Sequence, residues 1–409
     1  MDFEKTVDYI YSLNPESKQP TLKRIKDVLS ALGNPQKSFS AIHIAGTNGK
    51  GSVTSMISEA VMCAGYKTGK YISPHITDFT ERISVNGKPI PKEDFCRISK
   101  TVAEKKLPLN FFEFTTAVAF LYFKEQGVEV AVLEAGLGGR LDATNACENK
   151  LISVITKIGL DHTEKLGGTK ELITAEKCAI ANGGRAVISP NQCPEVTAAV
   201  KKLLPDAVFT DLSDVKIFKS DIAGNVFSYK GTFYETSLAG EYQVENAVTA
   251  IEALKHCGLD IGERNIIKGI KEAFLPARMQ ILEIAPLTVL DGAHNPDGAA
   301  SLAPFMKKAA PVTAVIGVMR DKDYDAVLET TLPYAQNVIC VKADNYYRAL
   351  PPEELAETAR KYCKNVSVCD NLHDALKTAQ SENLPVFIYG SLYLASNILK
   401  LEDFNKFDF

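Results

Sequence analysis

The chain has 409 residues, 45% apolar and 23% charged, with 46 Lys and Arg against 50 Asp and Glu for a formal net charge of -4. That length exceeds what one core usually serves, so two domains are expected, and the composition excludes a disordered or fibrous chain. The acidic balance, without any Lys/Arg stripe, excludes a nucleic-acid footprint, and no apolar run reaches the ~18 residues of a membrane span.

Short apolar runs alternate with amphipathic stretches almost throughout, the pattern of an α/β protein with a mainly parallel sheet. Two N-terminal helices are expected first. Residues 41–45 then read as a buried strand, followed by a glycine-rich loop and a helix to about Cys63. Residues 115–126 have helical apolar spacing, and the β-branched runs at 128–133 and 152–156 read as strands. From 209 to 236 brief alternating runs broken by Gly224, Asn225 and Gly231 predict antiparallel hairpins. Helices are expected over 242–256 and 262–274, and the segment PARMQILEIAPLT, with Pro276 and Pro286, marks a boundary. Strands at 288–290, 313–317, 337–341 and 386–389, with helices between them, predict a second doubly wound domain.

Nine cysteines (Cys63, Cys96, Cys147, Cys178, Cys193, Cys257, Cys340, Cys363 and Cys369) are scattered with no CxxC pair. They support neither a zinc ribbon nor a redox dithiol, and they suit a reducing compartment. The N-terminus MDFEKTVDYI is acidic and mixed, unlike a signal peptide. A cytoplasmic protein is expected.

The segment AGTNGKGS, Ala45 to Ser52, carries the sharpest chemistry. Strand, Gly-rich turn and lysine-led helix together cradle phosphate: backbone amides and the helix N-terminus face the anion, glycines allow close approach, and lysine adds charge. Here Lys50 is the charge, and Gly46, Gly49 and Gly51 shape the turn. Against the GxxxxGK[ST] pattern the loop departs twice. Ile44 stands at the first glycine, and Gly51 stands where a hydroxyl would hold Mg²⁺, so the magnesium ligand must come from elsewhere. The expected architecture is therefore a P-loop NTPase-type doubly wound parallel-sheet domain with a small antiparallel flap over 1–284, and a smaller Rossmann-like α/β domain over 285–409.

Glu134 ends a strand and precedes three glycines, the place for a Walker-B-type magnesium ligand beside a phosphate loop. Asp161-His162 follows another strand, where a histidine is more often structural than ligating. Lys177 alone reads as one exposed lysine among many. Phe111, Phe112 and Phe114 fit core packing at a helix start better than a stacking surface for a ring ligand. Arg82 and Arg140 are planar donors suited to a carboxylate or phosphate. His294 and Asn295 open a helix, where an anionic group is favoured.

The blocks GTNGKGS, SPHITDFTERI, FFEFTTAVAF, EAGLGGRLDATN, ITKIGLDHT, AEKCAI, LDGAHNPDG and YGSLYLAS occur in this order. Each resembles a block of the folylpolyglutamate synthase/dihydrofolate synthase family within the Mur ligase superfamily. The resemblance spans most of the chain, and GTNGKGS followed by SPH and ERI belongs to the folate branch. It implies that Thr47, Asn48, Gly49, Lys50, Gly51 and Ser52 bind ATP, with Asn246 of the QxxN block at the adenine. It also implies that Ser73 replaces the hydroxyl missing after Lys50, that His162 binds a second magnesium, and that Glu134 bridges both. Lys177 would be carbamylated and help to hold the second metal. Arg278 and Asp291 would close on ATP from opposite sides of an interdomain cleft, and His294 would touch substrate or intermediate. Phe111 and Phe112 would line a pterin pocket, whose residues in the N-terminal stretch around Thr21 to Arg24 the sequence does not assign. Ala277 and Ala179 stand where the family usually has glycine.

The implied activity is ATP-driven amide synthesis using two Mg²⁺ ions, and a monomer is expected. A reduced folate or dihydropteroate carboxylate takes the γ-phosphate, and L-glutamate then attacks the acyl phosphate. Lys50, Lys177 and His294 would carry the catalytic duties. Two alternatives are a Mur-type ligase on a cell-wall precursor and a non-catalytic P-loop module. The short stretch before Ala45 leaves little room for the UDP-sugar domain of the first. The second needs no assembly of Ser73, Glu134, His162 and Asp291.

Overall fold

The computed structural model describes residues 2–13, 21–160, 162–344 and 348–401, so Asp161 lies outside the described residues. The chain divides into two compact units. The first takes the residues up to Phe218 with Val226–Ser237 and Gln243–Phe274; the second takes Lys219–Asn225, Leu238–Tyr242 and the chain from Leu275.

The first unit is built on eight strands: β1 (Ser40–Ala45), β2 (Thr68–Tyr71), β3 (Ile83–Val85), β4 (Lys88–Pro89), β5 (Val130–Glu134), β6 (Lys150–Ile155), β7 (Ala186–Ile188) and β8 (Val208–Phe209). They stand in the order β4-β3-β2-β5-β1-β6-β7-β8. All neighbours are parallel except β2–β3 and β3–β4. Every residue of β5, and all of β1 after Ser40, is buried. Both faces are covered, which is why these strands are continuous apolar runs rather than alternating ones.

One core gathers Tyr71, Phe95, Ile98, Phe114, Phe120 and Phe123 with Ile25 and Leu29. Its main wall is the helix Phe111–Glu125. That helix starts four residues before the predicted one because Asn110 caps it: Asn110 Oδ1 accepts the Glu113 amide at 2.8 Å, and Glu113 Oε2 accepts the Asn110 amide at 2.8 Å. The FFEF stretch is thus a helix start, with Phe114 buried in the core.

The stretch predicted to form hairpins folds as β9 (Val215–Asp221), β10 (Gly224–Tyr229) and β11 (Thr232–Thr236), in the order β11-β10-β9. Lys230 and Gly231 join β10 to β11, both at positive φ, as a two-residue type I′ turn requires.

The second unit holds β12 (Gln280–Ile284), β13 (Leu287–Leu290), β14 (Val312–Ile316), β15 (Ala335–Cys340), β16 (Val366–Val368) and β17 (Val386–Tyr389). The order is β12-β13-β17-β14-β15-β16, parallel apart from β12–β13. The proline-flanked segment expected at a boundary therefore contains an edge strand. Val289, Val312, Ala314, Ile316, Val338, Cys340, Phe387 and Tyr389 form the sheet's share of this unit's core.

Candidate active site

β1, β5 and β6 run parallel, so their C-terminal ends share one edge of the first sheet, where open α/β sheets bind ligands. The phosphate loop leaves β1 there and enters the helix Lys50–Cys63, with Gly49 at its N-cap at φ +88. Two glycines in the loop have no room for a side chain. A Cβ on Gly46 would lie 1.7 Å from Thr156 Oγ1, and one on Gly49 would lie 2.4 Å from Asn246 Oδ1. Asn246 is in turn held by Gln243 Oε1 at 2.9 Å. Both residues of the QxxN pair thus back the phosphate loop.

The amides of Thr47 and Asn48 donate to Lys157 O at 2.8 and 3.2 Å. Helical bonding begins with the Val53 amide on Gly49 O, so the amides of Lys50, Gly51 and Ser52 have no acceptor within the helix. The anion-binding donors are therefore the helix amides rather than those of the turn. Lys50 Nζ donates to Gly46 O and Thr47 O, both at 3.1 Å.

Glu134 is the last residue of β5, opposite Ile44 of β1, and only 4% exposed. Its Oε2 accepts the Ser73 amide at 3.2 Å. The backbone of Ser73 is thereby tied to the carboxylate while its hydroxyl is not needed for that bond. Lys177 is also 4% exposed and donates from Nζ to Gly46 O at 2.7 Å. Sequence statistics place a lone lysine on the surface; here helix Lys170–Cys178 buries it against the phosphate loop. The EAGLGGR block explains the approach: the Arg140 amide donates to Glu176 O at 2.8 Å, and a Cβ on Gly139 would lie 2.6 Å from that same oxygen. Ala179 has φ -62, ordinary right-handed geometry that any residue adopts, so alanine fits there without strain. His162 is exposed, at left-handed φ +49, and caps the short helix Thr163–Leu166. Among the described residues no three His, Cys, Asp or Glu side chains gather as a metal cluster. The buried Glu134 carboxylate and the adjoining Ser73 hydroxyl are hard oxygen donors, the set that Mg²⁺ prefers.

A cavity of about 1060 Å³ opens beside Ser73. Of the expected substrate residues, Arg82, Phe112 and Arg140 line it, together with Thr21 and Arg24 from the N-terminal stretch. Phe112 packs on Gly136, where a Cβ would come within 2.6 Å of the ring. Phe111 is absent from the lining; its ring stacks on Tyr11 at 5.0 Å and lies 5.1 Å from the Arg82 guanidinium carbon.

Sequence reasoning missed Glu113 and Asp142. Glu113 meets Arg24 through both carboxylate oxygens, at 3.0 and 3.1 Å from Nε. Asp142 accepts the Leu137 and Thr144 amides at 2.9 and 3.0 Å, and burial pushes its carboxyl above the usual carboxylate range. The aspartate within GGRLD was the available signal.

In the second unit, Asp291 follows β13, accepting the Met279 amide at 2.8 Å and the Ala293 amide at 2.7 Å. Burial raises its pKa and the nearby Arg278 opposes the rise. Arg278 Nη1 donates to Ala277 O at 3.2 Å. His294 Nδ1 is 2.9 Å from Gly292 O, and Asn295 caps helix Pro296–Ala309 by accepting the Gly298 amide at 2.8 Å. Ala277 stands at φ +53, a left-handed position that suits glycine.

Comparison with known proteins agrees with this arrangement. Residues 44–254 match the Mur ligase middle domain, and residues 280–401 match the dihydrofolate synthetase C-terminal domain. The folylpolyglutamate synthase of Lacticaseibacillus casei is 33% identical, over 97% of this chain and 98% of that protein. The dihydrofolate synthase/folylpolyglutamate synthase of Bacillus subtilis is 34% identical, over 93% of this chain and 95% of its own. The chain belongs to the folylpolyglutamate synthase/dihydrofolate synthase family. Its fold matches Escherichia coli FolC, solved in complex with DHPP and ADP, with a TM-score of 0.88 at 29% identity over 99% of both chains. It is an enzyme of the ATP-dependent Mur ligase class.

Proposed function

We propose that this protein joins L-glutamate to the carboxylate of a reduced folate or dihydropteroate, using ATP. The observation that carries the proposal is the junction at Ser73. Its amide is fixed to the buried Glu134 beside a phosphate loop that lacks its own hydroxyl at Gly51, and Ser73 also lines the cavity. ATP chemistry and a ring-sized pocket therefore meet at one residue. Relatives named for both synthase activities, and a related structure with DHPP and ADP, support the substrate class.

In this reading Lys50 leaves the carbonyls of Gly46 and Thr47 to pair with the β- and γ-phosphates, which the amides of Lys50, Gly51 and Ser52 also receive. Asn246 holds the adenine. Ser73, Glu134, His162 and a carbamylated Lys177 would hold two Mg²⁺ ions, which when bound screen the repulsion between phosphate and carboxylate. Lys177 and Lys50 share the Gly46 carbonyl, an uncomfortable meeting of two ammonium groups that carbamylation of Lys177 would relieve. Phe112 faces the pteridine, and Arg82 and Arg140 supply donors for its anionic end. The carboxylate oxygen bonds to the γ-phosphorus as the bond to ADP breaks. The glutamate amine then attacks the acyl phosphate carbon, phosphate leaves, and an amide remains. The residues from Leu275 onward form the glutamate-ligase unit, where Arg278 and Asp291 have nucleotide duties and His294 contacts substrate or intermediate.

A cytoplasmic setting belongs to this reading, supported by nine free thiols; among the described residues no helix is long and apolar enough to cross a membrane. The deciding assay is ADP release with glutamate and each pteridine carboxylate added or withheld. Turnover indifferent to both additions would end the ligase proposal.

A further inference from the structure

Four cationic side chains line the cavity, and their charges are balanced differently. Arg24 is held by Glu113, with Nη2 at 2.9 Å, and Arg140 by Glu176, with Nη2 at 2.8 Å. Lys165 is exposed to solvent. Arg82 is 6% exposed, and among the described residues no carboxylate lies within ion-pair distance of it. Glu134 and Glu81 attract it only from beyond that distance, and the groups in direct contact with it are neutral. Nε donates to His75 Nδ1 at 2.8 Å, and the guanidinium carbon sits 5.3 Å from the Phe79 ring and 5.1 Å from the Phe111 ring. Burial lowers the Arg82 pKa, a sign that the cation is desolvated there.

A buried guanidinium without a counterion costs free energy unless something anionic completes the site. The support is directional. Because Nε must donate, the facing Nδ1 of His75 carries no proton, and the ring holds one edge of the guanidinium. Phe79 and Phe111 flank the guanidinium as cation–π partners. That leaves the outer pair of nitrogens as the fork for a ligand carboxylate. The backbone sets the location: the Ile72 amide donates to Arg82 O at 3.0 Å, so Arg82 stands beside Ile72 and next to Ser73, at the reaction end of the cavity.

We propose that His75 is the positioning residue of Arg82, fixing through Nε the fork by which Arg82 anchors the carboxylate of the pteridine substrate. This rests on the glutamate-ligase reading and deepens it. It also assigns Phe111 a task outside the cavity lining, as one wall of the guanidinium slot.

The test compares His75→Leu, which removes the acceptor, with His75→Gln, whose amide oxygen can accept from Nε, and with Arg82→Ala. KM and kcat are measured for tetrahydrofolate, dihydropteroate and ATP, with thermal unfolding alongside. The expected result is a KM for the pteridine carboxylate about ten- to a hundredfold higher in His75→Leu and Arg82→Ala, the range for a lost charge-assisted hydrogen bond. KM for ATP should stay within about twofold, and His75→Gln should recover most of the loss. Unchanged pteridine KM in either Leu or Ala variant overturns the assignment while leaving the ligase reading intact. Parallel loss of ATP and pteridine affinity with a lowered melting temperature and no rescue by Gln also overturns it, marking His75 as structural. A wild-type enzyme that neither binds nor turns over any pteridine carboxylate removes the ligase reading and the anchor together.

Discussion

The substitution Gly49→Ala separates what the phosphate loop needs from what the fold needs. At φ +88 an alanine is strained by about 1–2 kcal/mol, partly offset by about 0.4–1 kcal/mol from a less flexible unfolded chain. The added Cβ would also lie 2.4 Å from Asn246 Oδ1 and 3.2 Å from Cγ. Asn246 must give way, and moving it breaks its bond to Gln243, costing about 1 kcal/mol more. The expected loss is roughly 2 kcal/mol. In the background of Asn246→Ala the clash vanishes and only the strain remains, so the two substitutions should couple favourably by about 1 kcal/mol. Calorimetric or urea unfolding of the four proteins of the cycle measures this. ATP affinity should behave differently, because Asn246 is itself the proposed adenine contact: the double variant is about as stable as Gly49→Ala alone but poorer in KM for ATP. Additive stabilities within about 0.5 kcal/mol, or a near-normal ATP affinity in the double variant, would refute the reasoning.

Ser73→Ala should leave folding untouched, since the bond to Glu134 comes from the backbone amide, yet lower Mg²⁺-dependent turnover by about a hundredfold or more, the scale for losing a key transition-state interaction; near-normal kcat across a magnesium titration would remove Ser73 from the metal site. Gly46→Ala should cost about 1–3 kcal/mol by pushing the loop off Thr156, and a melting temperature equal to wild type would contradict it. His43 is fully buried on β1, and burial holds its pKa well below 6.5. The unfolded histidine takes up a proton that the folded one refuses, so stability falls as pH drops through and below about 6.5, by at most about 1.4 kcal/mol per pH unit for this group. His43→Leu should flatten that part of the stability profile; an unchanged slope would show that the acid sensitivity lies elsewhere. Ala277→Gly should change stability by less than about 1 kcal/mol, because relief of the left-handed strain is matched by lost methyl burial and a freer unfolded chain; urea unfolding decides it.

The elements that carry the phosphate chemistry were legible because their signals are local. The β1 run, the glycines and Lys50 are contiguous, and Glu134 ends an unbroken apolar run. β2 was not legible: it is four residues, TGKY, with a glycine that weakens strand propensity. Gly69 is there because a Cβ would come within 2.9 Å of the Phe123 ring, a partner more than fifty residues away. β12 hid between two prolines, since an edge strand tolerates the punctuation that a central one does not. Lys177 looked like a surface lysine for a similar reason. Its burial depends on Gly139 letting the EAGLGGR loop press against the helix carbonyls, a distant packing event that no local pattern encodes. Phe111 and Phe112 were adjacent in the sequence reading and part ways in the structure, because successive helix positions point about 100° apart. One ring meets Gly136 and the cavity, and the other meets Tyr11 and Arg82.

The missing hydroxyl at Gly51 links these levels. Glycine at the second helical position keeps the amides around it unobstructed, but it leaves the loop without an oxygen for a metal. In the proposed reading the neighbouring parallel strand supplies the replacement. β5 places Glu134 opposite Ile44, one residue before the loop, and Glu134 in turn holds the amide of Ser73 on the chain leaving β2. In a loop that carries its own hydroxyl, metal and phosphate sit on one segment, and the pocket for the second substrate can form anywhere nearby. Under the proposed assignment of Ser73, the oxygen donor would come from the segment that continues through His75 to Arg82 and lines the cavity. In that reading nucleotide site and substrate anchor are coupled through ten residues of one chain segment, residues 73 to 82. A substitution that shifts Ser73 should move pteridine affinity with it, whereas one that shifts Ser52 on the helix should move ATP affinity alone.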